Sequence, residues 1–143
     1  MQYNVMISIR GEQEFAGAEK DATEFLTEGT LCETDYGFSL EYDESALTGM
    51  EGTHTAFQIR PQAVVLRRSG TFRSQMIFQP GKKHYSMYET PYGTMSLAIV
   101  TGEIKNDITA EGGTLEIRYD IEIEHQLAGE SRFLIQVRPS GAQ

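Results

Sequence analysis

Apolar and polar residues alternate with a period of two along most of this chain, the mark of strands with one buried face. Val5, Ile7 and Ile9 alternate with Asn4, Met6, Ser8 and Arg10, so a first strand is expected from Tyr3 to Arg10. The same alternation returns in Phe38, Leu40 and Tyr42, in Thr53, Thr55, Phe57 and Ile59, in Val64, Leu66 and Arg68, and in Phe72, Ser74, Met76 and Phe78. Leu115, Ile117, Tyr119, Ile121 and Ile123 alternate without a fault against Glu116, Arg118, Asp120, Glu122 and Glu124, and Phe133, Ile135 and Val137 supply a last inward face.

Turn residues punctuate these runs. Pro91 and Gly93 bracket Tyr92 in a tight turn, because proline presets φ and glycine takes the positive φ that other residues avoid. Pro80-Gly81 and Gly112-Gly113 mark further turns, Pro61 ends a strand, and Gln126 to Glu130 is expected to turn the chain once more. Gly11 to Glu19 reads as a loop. Part of residues 18–28 admits a short helix, although Thr-Glu-Gly-Thr at 27–30 favours extended chain with a bulge. Pro139 onward is expected to fray.

About ten strands at short spacing, with hardly any helix signal, predict an all-β antiparallel up-and-down meander. A sheet that long curls, and closing it into a barrel of about eight to ten strands removes edges that would template aggregation. A two-sheet sandwich is the alternative that phase alone leaves open.

Length, charge and cysteine usage narrow the setting. The 143 residues suit one domain, 1–143, with room for a hydrophobic core. Cys32 has no partner for an internal bridge, and the opening Met-Gln-Tyr-Asn-Val-Met lacks a basic or apolar leader, so a cytoplasmic protein is expected. No apolar run approaches the roughly 18 residues of a membrane-spanning helix, so no membrane partner is expected. A formal charge of −9, with only Arg67-Arg68 and Lys82-Lys83 as basic pairs, argues against nucleic acid.

A spaced pattern runs through the chain: Leu40-Glu41-Tyr42-Asp43-Glu44, Gly49 with Gly52-Thr53-His54-Thr55, Arg68-Ser69-Gly70, Met76-Ile77-Phe78, Tyr88-Glu89-Thr90-Pro91-Tyr92-Gly93, Thr101, and Gly113 with Leu115 and Tyr119. In this pattern, over roughly residues 3 to 137, the chain resembles the YwiB-like family of small bacterial proteins. The resemblance implies a calycin, lipocalin-like barrel. It brings no activity with it, and the ligand that such barrels often hold is an analogy of fold alone.

Candidate chemistry lies in polar residues that share phase with apolar neighbours. Glu44 follows Leu40 and Tyr42, Arg68 follows Val64 and Leu66, Thr53 and Thr55 precede Phe57, Thr101 follows Ile99, and Tyr119 sits between Ile117 and Ile121. All are expected to point inward. An inward Arg and Glu must pair, so Glu44 and Arg68 form either a structural plug or a polar floor on which Arg68 holds an anionic group. In the second case Tyr88, Thr90, Tyr92, Thr55 and Tyr119 complete a ligand site. Tyr88 and Tyr92 equally suit packing of their turn.

His54, His84 and His125 show no ligand spacing, so no metal is expected; no cofactor fingerprint or catalytic constellation is present. His54 and His125 read as solvated, and Cys32 as a half-buried spectator. Glu116, Asp120, Glu122 and Glu124 with Arg118 are expected to form one solvating face. The leading expectation is a non-catalytic barrel that binds a small amphipathic or anionic molecule in its interior. The rivals are a structural or interaction barrel with a filled core, monomer or homodimer, and an enzyme using Glu44 as general base.

Overall fold

The computed structural model describes residues 1–15 and 20–140. Its strands are β1 (Gln2–Phe15), β2 (Asp21–Thr34), β3 (Gly37–Asp43), β4 (Thr53–Ile59), β5 (Val64–Gly70), β6 (Arg73–Phe78), β7 (Lys83–Thr90), β8 (Gly93–Asn106), β9 (Gly113–Ile123) and β10 (Gln126–Pro139). Each pairs with the next, and β10 returns to β1 along a register from Val5↔Pro139 to Phe15↔Gly129. The expected meander therefore closes into a barrel rather than a sandwich, and closure pairs what would otherwise be two long exposed edges.

Four expectations change. β1 runs past Arg10 to Phe15, because Gly11 and Gln13 keep the inward phase; residues 16–19 lie outside the described residues. No helix forms in the described part of residues 18–28, because β2 pairs with β1 continuously from Gln13↔Asp21 to Gln2↔Cys32 and shows no shift of register there. The turn expected at Gln126 to Glu130 falls instead on Glu124 and His125, whose φ angles of 53° and 67° make the two-residue hairpin that follows the twist of the flanking strands. The tail is tied down as far as Ser140, whose N–H donates to Asn4 O.

One end of the barrel is filled. Phe57, Leu66, Phe78, Ile99 and Ile117 are completely buried there, joined by Leu31, Leu40 and Ile135. An aromatic layer tops this core: Phe133 stands edge-on to Phe57, and Tyr119 packs between Phe78 and Phe133 at centroid distances of 4.8 and 5.7 Å. Above the layer, toward the turns at residues 43–53, 90–93 and 123–126, the interior is open. The wall is weakest between β6 and β7, where only Arg73↔Glu89 and Ser74↔Tyr88 pair and the Ser86 hydroxyl donates to Gln75 O at 2.6 Å in place of a ladder bond.

The closing seam has its own fastening on the outer surface. Glu12 of β1 accepts from Arg10 Nε at 2.8 Å, lies 2.9 Å from Lys20 Nζ, and receives Arg132 of β10 at 3.2 Å. Arg132 also bonds Glu116 of β9, which Arg118 bonds at 3.1 Å. Glu116 is thus a buried member of a network, not part of a solvating face.

Hydrogen bonds from Arg10 and Lys20 hold the Glu12 carboxyl at about 2, below its ordinary 4.5. A depressed carboxylate contributes stability that is present above its unfolded value and lost as pH falls through its folded one. Glu12→Gln is therefore expected to be less stable than the natural chain above pH 4.5, the difference shrinking as pH falls toward 2. Urea unfolding across that range checks it, and parallel pH profiles for the two proteins contradict it.

Candidate functional site

Antiparallel register sets one row of inward side chains across six adjacent strands. Tyr42 of β3 lies opposite Thr55 of β4, Thr55 opposite Arg68 of β5, Arg68 opposite Ser74 of β6, Ser74 opposite Tyr88 of β7, and Tyr88 opposite Met95 of β8. Glu44, two residues beyond Tyr42, keeps the same face as the chain leaves β3. Five hairpins thus deliver side chains scattered over more than fifty positions to one level of the barrel.

Glu44 is fixed from two sides. Thr55 donates to its Oε2 at 2.5 Å, and Thr48, from the 3-10 turn Ala46–Thr48, donates to Oε1 at 2.9 Å. That turn is capped by Ser45, whose side chain accepts from Leu47 N, and it closes on Gly49 at a φ of 76°. Arg68 Nε stands 3.8 Å from Glu44 Oε2, close enough for charge attraction and too far for a hydrogen bond; the two side chains are only 11% and 1% exposed. Arg68 Nε and the Ser74 hydroxyl are buried with no hydrogen-bond partner among the described residues.

Two phenols complete the floor. Burial and the neighbouring Glu44 charge raise Tyr42 well above the ordinary phenol range, and burial pushes Tyr119 up to about 12. Both remain protonated donors at neutral pH.

Above this floor opens a cup of about 540 Å³. Its walls are apolar, with Met50, Met76, Met95, Leu97, Ile121 and Phe133 among them. The volume falls within the roughly 300–1,000 Å³ of small-molecule sites, and a mostly apolar wall with a few convergent polar groups is the composition such sites share.

The structure brings together most of the residues expected to form a site. Glu44, Arg68, Tyr88 and Tyr119 line the cup, and Thr55 lies beneath it, bonded to Glu44. Thr90 and Tyr92 stand apart from it. Thr90 Oγ1 accepts from Tyr92 N and donates to Gly93 O, which shapes the turn, and Tyr92 is 96% exposed at the tip. A two-residue hairpin carries its loop outward along the strands, so sharing phase with Tyr88 is not sufficient to reach the interior. Tyr92 also packs against nothing that would hold the turn to the barrel, and the Tyr88 hydroxyl meets Met50 Sδ rather than a carbonyl.

Sequence reasoning passed over Tyr42, Ser74 and the three methionines. Tyr42 and Met76 were visible as inward-phase residues but counted as core; Met50 and Met95 lie in or beside turns, where alternation gives no reading.

His54 is clamped on the outer surface between Asp43 and Glu41, each at 2.8 Å, and both carboxylates raise it; Asp43 has the larger effect. His84 faces Gln79 at the filled end. Among the described residues no group of three His, Cys, Asp or Glu side chains is placed to hold a metal ion. No helix there is long and apolar enough to cross a membrane.

A family model described as a domain of unknown function, DUF1934, matches residues 7–135. The crystal structure of the ywiB protein from Bacillus subtilis superposes with a TM-score of 0.87 at 19% identity, covering 97% of this chain and 93% of that one. At that identity the likeness shows the fold, which is the barrel described above. No curated protein matches the chain.

Proposed function

The chain belongs to the DUF1934 family, and we propose that it is a non-catalytic barrel that holds a small amphipathic molecule in its open half, the polar end of the ligand resting on Arg68. The observation that supports this reading is the Arg68 side chain at the floor of a mostly apolar cup. The filled end limits the ligand to the open half, so the interior site is smaller than a hollow barrel would provide.

Native mass spectrometry of protein purified from its own source is expected to show a co-purified mass of a few hundred daltons, released on unfolding. Ile121→Trp, which enlarges a half-buried wall residue into the empty space, is expected to lose that mass and keep the fold. Retention of the mass by this variant would place the ligand elsewhere.

A second reading, an interaction barrel, draws support from Tyr85 and Met87, which leave the outer face of β7 66% and 57% exposed. A partner or second copy seated there would appear in sedimentation as a species heavier than the monomer.

A further inference from the structure

We propose that the ligand of the cup is uncharged: an elongated apolar molecule ending in a carbonyl, as in an ester, a ketone or an amide. The inference rests on the small-molecule reading of the cup and adds the chemistry of the end that meets its floor.

Charge balance is the first argument. The floor already holds one cation and one anion, Arg68 and Glu44, 3.8 Å apart and almost wholly shielded from water. Among the described lining residues the only other ionisable carboxyl is Asp21, toward the mouth, and there is no second cation. A carboxylate ligand would add a negative charge where a single guanidinium already faces Glu44. An uncompensated charge in such a place is strongly unfavourable, whereas a neutral group leaves the balance intact.

Hydrogen-bonding capacity points the same way. Each oxygen of Glu44 already accepts one hydroxyl, from Thr48 and from Thr55, which takes up half of its accepting capacity. The groups that line the cup and can donate are the guanidinium of Arg68 and the protonated hydroxyls of Tyr42 and Tyr119. A carbonyl oxygen has two lone pairs and suits a donor set of this kind.

The walls select the rest of the molecule. Met50, Met76 and Met95 come from the 43–53 connection, β6 and β8, with Met50 and Met95 both against Tyr88. Unbranched, polarizable thioethers adjust to apolar chains of differing length, so the body of the ligand is recognised loosely and its polar end strictly.

Calorimetry of the whole protein with decan-2-one, methyl decanoate and decanoate at neutral pH tests the proposal. The two neutral compounds are expected to bind at least about tenfold more tightly than the acid. In Glu44→Gln, which leaves Arg68 unopposed, decanoate is expected to become the tightest of the three; should that variant not fold, the ranking on the natural chain decides alone. Decanoate as the tightest ligand of the natural chain overturns the neutral-ligand inference and leaves the small-molecule reading standing. Binding by none of the three, together with no co-purified mass, overturns both.

Discussion

Arg68→Met is expected to lower the free energy of unfolding by about 3–5 kcal/mol, because it removes the only cation near a carboxylate that is itself shielded from water. Glu44 is 1% exposed and cannot recover hydration by turning outward, since Thr55 and the capped turn at residues 46–48 hold both its oxygens. Methionine keeps most of the volume and apolar stem of arginine, so little of the loss comes from packing. The double variant Arg68→Met, Glu44→Gln is expected to regain most of the stability, since it leaves no unopposed charge. A coupling of about 2 kcal/mol or more between the two positions, read from urea unfolding of the four proteins, is the quantitative expectation. A loss below about 1 kcal/mol for Arg68→Met would show that water reaches Glu44 from the cup and that the pair is of the weak, exposed kind.

The same experiment separates two roles that phase alone left joined. A plug and a ligand floor both predict loss of stability on removing the guanidinium. Only a floor predicts that the double variant, although restored in stability, still fails to hold the ligand, because Arg68 is the one guanidinium among the described residues that line the cup.

Much of the strand pattern was legible because it depends on the period-two rule, and that rule holds wherever one face is buried. Phe57, Leu66, Phe78, Ile99 and Ile117 all point inward as expected, and so do Glu44, Arg68, Thr55 and Tyr119. Phase does not report height along the barrel axis. The first five therefore fill one end while Arg68 and Tyr119 mark the start of a cup, a division set by interstrand register rather than by any one strand. Local rules also misplaced elements where tertiary pairing overrides propensity. β2 has weak alternation but lies against β1 along most of its length, and the pairing keeps it extended. The Glu124-His125 turn lacks the glycine or asparagine that usually announces positive φ, so composition alone points to a turn a few residues too late.

Two strand glycines offer a contrast that tests how the floor is held in place. At Gly29 in β2, an added Cβ would collide with Ile7 Cδ1 and lie 2.5 Å from the backbone oxygen of Glu41, with Tyr42 Cβ at 3.3 Å. Ile7 can yield at its methyl, but the Glu41 carbonyl belongs to β3, which folds across β2 just where their ladder ends at Thr30↔Glu41. Gly29→Ala is therefore expected to cost about 1–3 kcal/mol, and Gly29→Val more, as an overpacked contact against backbone. Gly11 in β1 meets only Phe133 Cε1 at 3.9 Å, so Gly11→Ala is expected to be neutral or to stabilise by about 0.4–1 kcal/mol through a less flexible unfolded chain. Equal effects at the two sites would mean that β3 shifts freely. Because β3 leads directly through Tyr42 to Glu44, a shift there would also move Glu44 relative to Arg68, and ligand binding by Gly29→Ala should weaken beyond what its stability loss explains. On this expectation the close passage of β3 over Gly29 acts together with the β3–β4 register, which pairs Tyr42 with Thr55, in setting the height of the polar floor.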